Sequence, residues 1–494
     1  MKKYIFFVVG VMCTLLSHTA YAIDLNKSDA NIIGHVLEKK TGEHLSYMTV
    51  ALKGTTIGTM TDGTGHYFLK NLPEGEFTLS VSAVGYKPQE RKVTLKRGKT
   101  LEENFELEED MVALDGVVVT ANRNETARRL APTLVKVVTP KLFDMTNSHT
   151  LSQGLVFQPG VRVENDCQNC GYSQVRINGM DGKYTQILID SRPIFSALAG
   201  VYGLEQIPAN MIERVEVVRG GGSALFGSSA IAGTVNIITK EPLRNSGSFA
   251  HSISNFDGSG SFDNNTTLNL SLVSSDNKMG AYIYGQNRHR SAWDSNGDGF
   301  SELPKLKNQT VGINAYYRLN PYSKLNLEYH HMEEFRRGGN RFDLPPHIAE
   351  DANLNGSGKP GLVEQIEHSI NTGGLKFSAF SKDQKHSFNA YASAQHIVRD
   401  SYYSAYGHTT DFTGVLGAQY IYHFDKLFFM PSDLTGGVEF NHDNLDDKAT
   451  DMQKYRDAAL AEDPTATGDR LQQLIDKYTP CLLYTSDAAD ERSS

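Results

Sequence analysis

Three short stretches of this chain carry residue types at spacings that suit chemistry. In Asp294-Ser295-Asn296-Gly297-Asp298-Gly299-Phe300-Ser301-Glu302, oxygen donors stand at the first, third and fifth positions, Gly at the sixth and Glu at the ninth. That is the first half of a calcium loop. The twelfth position is Lys305, where a bidentate Glu would belong, so the loop is not a complete EF-hand. We read Asp294, Asn296, Asp298 and Glu302 as a structural calcium site; the plainer alternative is an Asx/Gly turn at a loop tip. Cys167-Gln168-Asn169-Cys170 is a C-x-x-C, and no second pair exists to complete four zinc ligands. Gly220-Gly221-Gly222-Ser223-Ala224-Leu225-Phe226-Gly227 fits the start of a dinucleotide fingerprint, but Leu225 stands at its last position. Gly222 to Gly227 has P-loop spacing, yet Ser228 replaces the phosphate-binding Lys. A tight turn that uses the positive φ open to Gly accounts for this stretch better than a nucleotide site does.

The compartment decides between these chemistries. Lys2 and Lys3 form a positive n-region, Tyr4 to Leu16 an apolar stretch, and Ala20-Tyr21-Ala22 a small-x-small cleavage site, so residues 1–22 read as a signal peptide. An exported chain meets an oxidising environment. A local disulfide between Cys167 and Cys170 is then the plain reading, with a metal or redox role as the alternative. Export also removes the nucleotide supply that a phosphate loop would need. With 57 acidic against 48 basic side chains the net charge is −9, which speaks against nucleic acid as a partner. Beyond the leader no apolar run reaches the ~18 residues of a membrane helix. Plentiful Gly, Tyr and Phe suit a mainly β chain.

The elements that must position these stretches fall into four regions. Residues 31–108 alternate strand-like runs (Ile32–Leu37, Met48–Leu52, Tyr67–Leu69, Phe77–Val84, Arg91–Leu95) with turn signals, which predicts a small antiparallel β-sandwich. Residues 109–124 are a linker whose β-prone run, Asp115-Gly116-Val117-Val118-Val119-Thr120, is a candidate for strand addition to a partner's sheet. Residues 125–240 read as mixed α/β, with Met211–Arg219 and Val235–Ile238 as strands. From about 245 the apolar residues recur every second position, as in Leu268/Leu270/Leu272, Leu325/Leu327/Tyr329 and Leu416/Ala418/Tyr420/Tyr422. Short turns at 276–278, 321–323 and 382–384 alternate with long polar loops expected at 255–263, 294–308, 341–362 and 404–411. Strands that alternate, with short turns at one end and long loops at the other, predict an antiparallel outer-membrane β-barrel over 241–480.

At this point the sequence resembles the TonB-dependent outer-membrane receptors of Bacteroidetes type, cobalamin- or iron-chelate-receptor-like. The carriers are Val175-Arg176-Ile177-Asn178-Gly179-Met180, Gln186-Ile187-Leu188-Ile189-Asp190, Ile207 to Gly220 and Ser223 to Thr239. Gly54 to Thr59, Asp62-Gly63-Thr64-Gly65-His66-Tyr67 and Ser82 to Tyr86 resemble a carboxypeptidase-regulatory-like domain, in which no catalytic constellation is visible.

The resemblance implies an N-terminal β-sandwich, an α/β plug domain and a barrel of about 22 strands when complete. Only about nine strands are legible to residue 440, so the chain is expected to be C-terminally truncated, and residues 481–494 read as a non-native tail. By resemblance Asp115 to Thr120 is the TonB box. Asn165, Gln168, Asn169, Tyr172, Ser196, Leu198 and Tyr202 belong to plug-apex loops that face substrate. The implied partners are TonB with its inner-membrane energising complex, a small-molecule nutrient, outer-membrane lipid and, optionally, a surface lipoprotein. No nucleic acid and no required cofactor are expected beyond the structural calcium. The implied function is active uptake, not an enzymatic reaction, of a scarce bulky nutrient such as a corrinoid or an iron chelate. Haem or glycan uptake and a non-transporting surface receptor are the alternatives. His289, His330, His331, His396 and His408 are the residues a haem reading would call on.

Overall fold

The computed structural model describes residues 28–108, 118–119, 126–127, 135–167, 172–192, 207–220, 230–427 and 430–450, without 46–47, 63, 83–85, 353–354, 357 and 384, and a few positions between 459 and 474. Strands dominate throughout.

The first eight strands build the sandwich. β1 (Ala30–Glu38), β4 (His66–Leu72), β7 (Thr100–Glu102) and β8 (Phe105–Leu107) form one sheet; β2 (Thr49–Leu52), β3 (Gly58–Met60), β5 (Gly75–Ser82) and β6 (Gln89–Leu95) form the other. Alternate residues turn inward, so Ile32 and Val36 of β1 meet Leu52, Leu69, Leu79, Val81 and Phe105 in one core. The expectation of a purely antiparallel sandwich is corrected here: β7 and β8 run parallel to β1. The chain crosses to the second sheet for β5 and β6 and returns, so it re-enters the first sheet in the direction of β1. Gly34 is required where this return passes, because a Cβ there would lie 1.8 Å from the Glu103 carbonyl oxygen.

β9 (Val118–Val119) and β10 (Thr126–Ala127) pair as a short ladder. The α/β domain follows. Its sheet has the order β11-β15-β16-β14, from Val135–Val138, Ile212–Arg219, Gly233–Thr239 and Thr185–Ile189. Two short helices, α1 (Pro140–Met145) and α2 (Leu151–Leu155), and a hairpin of β12 (Val161–Cys167) and β13 (Tyr172–Ile177) cover it. β16 is buried on both faces, as its apolar sequence suggests.

The remaining nine strands form one antiparallel sheet in sequence order, from β17 (Ser246–Asn255) through β18 (Phe262–Val273), β19 (Met279–Arg290), β20 (Lys305–Asn320), β21 (Ser323–Gly339), β22 (Val363–Phe380), β23 (His386–Tyr403) and β24 (Tyr406–Leu427) to β25 (Met430–Thr450). Register carries the alternation across the whole sheet. Leu268, Leu270, Leu272, Leu327, Leu375, Leu416, Val438 and Phe440 stay exposed on the outer face. Thr310, Met332, Thr372, Gln395 and Thr413 are buried on the inner one. An outer apolar face over a polar inner face is the inverse of a soluble sheet and suits hydrocarbon outside. Among the described residues no helix is long and apolar enough to cross a membrane.

One expected loop is corrected. Residues 404–411 are not a long loop: β23 and β24 join through Ser404 and Ala405, and Tyr406 already pairs with Tyr402. The polar run Gly407 to Asp411 reads like a loop but belongs to strands tall enough to leave the apolar belt. Beyond 451, the described positions Ala459, Leu460 and Leu474 are helical.

The sandwich docks on the short-turn rim of this sheet. The amide of Thr56 donates to the Pro321 carbonyl at 2.9 Å, Arg318 Nε donates to the Thr56 carbonyl at 2.8 Å, and Tyr322 packs on the sandwich core.

Candidate functional site

The α/β domain is held against the inner face of the barrel sheet, and the contacts are built from the residues upward. After β14 the chain reverses at Asp190 and Ser191, both with positive φ (46° and 67°), as the central residues of a type I′ turn require. The turn closes by Ile189 N to Arg192 O at 3.1 Å and Arg192 N to Ile189 O at 2.9 Å. Asp190 accepts from the Thr239 amide at 3.0 Å and its hydroxyl at 2.7 Å, which ties the turn to β16.

This reversal aims Arg192 at the barrel wall. Its Nη2 lies 2.5 Å from Glu328 Oε2 on β21 and its Nη1 donates to Ser393 Oγ on β23 at 2.8 Å. Asp190 adds a carboxylate 3.7 Å away. Only 4% of the Arg192 side chain is exposed, so the guanidinium has left water and depends on these partners.

A second contact sits where the α/β domain hands over to the barrel. Glu241 takes the Lys324 ammonium at 2.9 and 3.0 Å and the Asn326 amide at 3.0 Å. Elsewhere Asn210 Nδ2 donates to Asn269 Oδ1 at 2.9 Å, Tyr282 OH donates to the Asn210 carbonyl at 2.9 Å, and His149 Nε2 lies 3.1 Å from Ser252 Oγ. Tyr282 and Tyr284 of β19 also enter the hydrophobic core of the α/β domain. Hydrogen bonds and ion pairs thus run along this boundary beside the tyrosine contacts, as suits an interface that can be remade in water.

Toward the long-loop side, the inner wall carries its own charge pairs. Arg288 binds Asp263 through Nη2 at 2.6 Å, and Glu334 joins Arg336 at 2.7 Å and Asn308 at 3.0 Å. Arg192, Glu328 and this wall escaped the sequence reading. Their signal is a charged residue on the even, inward positions of β21, legible only once register is known.

The hairpin of β12 and β13 brings Asn165, opposite Ser173, and Tyr172, opposite Cys167, to one end of the α/β domain. Gln168, Asn169, Cys170, Ser196, Leu198 and Tyr202 lie outside the described residues, and so does the Cys167–Cys170 pairing. Of the run at 115–120, Val118 and Val119 are described, in the ladder with Ala127 and Thr126; Asp115, Gly116, Val117 and Thr120 lie outside.

The acidic loop is compact. Carboxylate oxygens of Asp294, Asp298 and Glu302 lie within 4.8 Å of one another. Backbone amides already engage them: Gly297 and Gly299 donate to Asp294 at 2.7 and 2.8 Å, and Phe300 to Asp298 at 2.9 Å. Asn296 Nδ2 reaches Asp298 at 3.1 Å. The Trp293–Leu303 bridge closes the loop base, and Phe256 stacks on Trp293 at 5.4 Å.

The histidines of the haem alternative do not converge. His330 takes an inward position on β21, while His289, His331, His396 and His408 take outward ones on their strands.

A sheet with an apolar outer face, wrapped on its polar inner face around a pinned α/β domain and preceded by a β-sandwich, is the architecture of a TonB-dependent outer-membrane receptor. The comparisons agree. Residues 32–119 match the CarboxypepD_reg-like domain and residues 127–234 the TonB-dependent receptor plug domain. The chain therefore carries the domain order of a TonB-dependent receptor with an N-terminal regulatory domain. It is 35% identical over 176 residues to the vitamin B12 transporter BtuB of Vibrio vulnificus, which covers 34% of this chain and 28% of that one. The chain thus spans about a quarter of that relative's length. In fold it is similar to FpvA of Pseudomonas aeruginosa (TM-score 0.54, 14% identity, 68% of this chain and 45% of that one). It is also similar to the siderophore receptor PirA of Acinetobacter baumannii (TM-score 0.52, 21% identity, 64% of this chain and 49% of that one).

Proposed function

We propose that this chain serves TonB-dependent uptake, across the outer membrane of a Gram-negative bacterium, of a scarce bulky nutrient: a corrinoid or an iron chelate. The observation that carries the reading is the plug pinned to the barrel wall through Arg192, Glu328 and Ser393. A buried ionic contact between two domains is stable when closed and separable when water enters, which a gate requires. The 35% identity over 176 residues to a vitamin B12 transporter supports the corrinoid; the likeness in fold to siderophore receptors extends no further than architecture.

In this reading Asp115 to Thr120 pairs with TonB by strand addition. Proton-motive force at the inner membrane, relayed by TonB, then shifts the plug. The apex hairpin with Asn165 and Tyr172, and the loops with Gln168, Asn169, Ser196, Leu198 and Tyr202, contact substrate. A Cys167–Cys170 disulfide stiffens that apex and lowers the ordering cost of binding. The loop with Asp294, Asn296, Asp298 and Glu302 takes calcium over the entrance. No bond of the substrate changes, so the chain is not an enzyme.

The test is uptake of labelled cyanocobalamin by cells that express this gene in place of their own corrinoid receptor, with and without TonB. Uptake that needs TonB and is lost on deleting residues 115–120 supports the proposal. Surface binding without uptake would mark a non-transporting receptor, and competition by a ferric siderophore alone would reassign the substrate.

A further inference from the structure

Far from the barrel lumen, the N-terminal sandwich gathers three histidines on one face. His35 on β1 lies directly opposite His66 on β4. His44, on the chain returning from β1, bridges Leu37, two residues beyond His35. Residues two apart on a strand share a face, and so do cross-strand partners. Register alone therefore turns the three imidazoles to the same side, opposite the core side of Ile32 and Val36.

Their spacing is specific. Ring centroids lie 5.4 Å apart for His35–His44, 5.7 Å for His35–His66 and 4.9 Å for His44–His66. A metal sits ~2.0–2.1 Å from an imidazole nitrogen, which places the centroids of rings sharing one tetrahedral ion roughly 5 Å apart. Gly65 makes the close approach possible, since a Cβ there would come within 2.8 Å of the His44 Cβ.

His66 is also set up electronically. Its Nδ1 lies 3.0 Å from the Thr64 carbonyl oxygen, which can only accept, so the proton belongs on Nδ1 and the lone pair on Nε2. A backbone carbonyl holding the far nitrogen is the usual outer support of a ligating imidazole. Thr64 is fixed in turn: Asp62 Oδ1 accepts from its amide at 2.8 Å and from its hydroxyl at 2.6 Å. The rings of His44 and His66 stack at 28° and the ligating nitrogens of the three histidines do not all lie within 4.8 Å of one another, so closing on a shared ion takes rotation of the side-chain torsions.

We propose that His35, His44 and His66 form a three-imidazole site for a borderline divalent transition ion of the Zn²⁺, Cu²⁺ or Ni²⁺ class, with a fourth position open to water or to a partner's side chain. Imidazole nitrogen selects such ions over calcium and magnesium. The site thereby differs in chemistry from the all-oxygen loop at 294–302, and it stands whether or not the chain transports a corrinoid.

The test uses the full chain in detergent with Co²⁺ as probe, then Zn²⁺ competition by calorimetry. The intensity of the visible cobalt band separates tetrahedral nitrogen ligation from octahedral all-oxygen coordination. One equivalent with the intense band is expected, weakened by at least about tenfold in His44→Gln and lost in the triple His→Gln variant. His44 is exposed, so its Gln variant should fold; circular dichroism checks both variants. Unchanged binding in the folded triple variant, or no intense cobalt band with the folded parent chain, would overturn the site.

Discussion

Arg192 on the plug meets Glu328 on barrel strand β21 with Nη2 2.5 Å from Oε2, both side chains largely withdrawn from water. A guanidinium aimed by a two-residue turn closes one domain against another, and its strength depends on both partners being present. Removing either one leaves the other charged and buried.

Arg192→Ala and Glu328→Ala should therefore each destabilise the plug–barrel contact by about 3–5 kcal/mol. The double variant should cost much less than the sum, because both charges go together. Thermal melts of the four proteins measure this; simple additivity would show that the pair is not coupled.

Arg318 ties the sandwich to the barrel rim through the Thr56 carbonyl. Losing this charge-assisted hydrogen bond in Arg318→Ala should weaken docking by roughly 1.5–3 kcal/mol. The readout is protease cleavage in the 109–124 linker, which should speed up while the barrel stays intact. An unchanged cleavage rate would mean that the Thr56–Pro321 hydrogen bond, the Thr59–Leu243 hydrogen bond and Tyr322 hold the domain without it.

Leu327 lies on the outer face of β21, half exposed to what surrounds the sheet. If that is hydrocarbon, Leu327→Arg should cost about 2–4 kcal/mol near the bilayer midplane. Folding into lipid vesicles under denaturant titration checks it, with Thr266→Arg on the outer face of β18 as a comparison. A cost near zero at Leu327 would place the position in the headgroup region.

Calcium binding at the acidic loop should be weak, on the order of 10⁻⁴–10⁻³ M, because Lys305 replaces the bidentate Glu of a full loop. Calorimetry on the parent chain and on Asp298→Ala decides it. Identical traces would reduce the loop to its own Asx turns.

Thiol titration of the oxidised, denatured protein should find Cys167 and Cys170 blocked. Two reactive thiols there would remove the disulfide and with it the stiffened apex.

Much of the architecture could be read along the chain. The alternation at Leu268/Leu270/Leu272 and Leu325/Leu327/Tyr329 maps directly onto the outer face, because side-chain direction in a strand has period two whatever the strand pairs with. The loop expected at 404–411 failed for a related reason: where a tall strand rises beyond the bilayer both of its faces turn polar, and the alternation that marks a strand disappears.

What the sequence determined by itself was local: strand periodicity, turn positions and motif text long enough to resemble a receptor family. What only the tertiary structure decided was adjacency. Asp190 and Ser191 look like any turn until the reversal delivers Arg192 to Glu328 and Ser393. His35, His44 and His66 are scattered singles until the pairing of β1 with β4 and with the strand return lays them on one face. Periodicity is a property of the backbone at each residue, whereas such contacts depend on register between distant strands, which the alternating pattern constrains to a face and never to a partner.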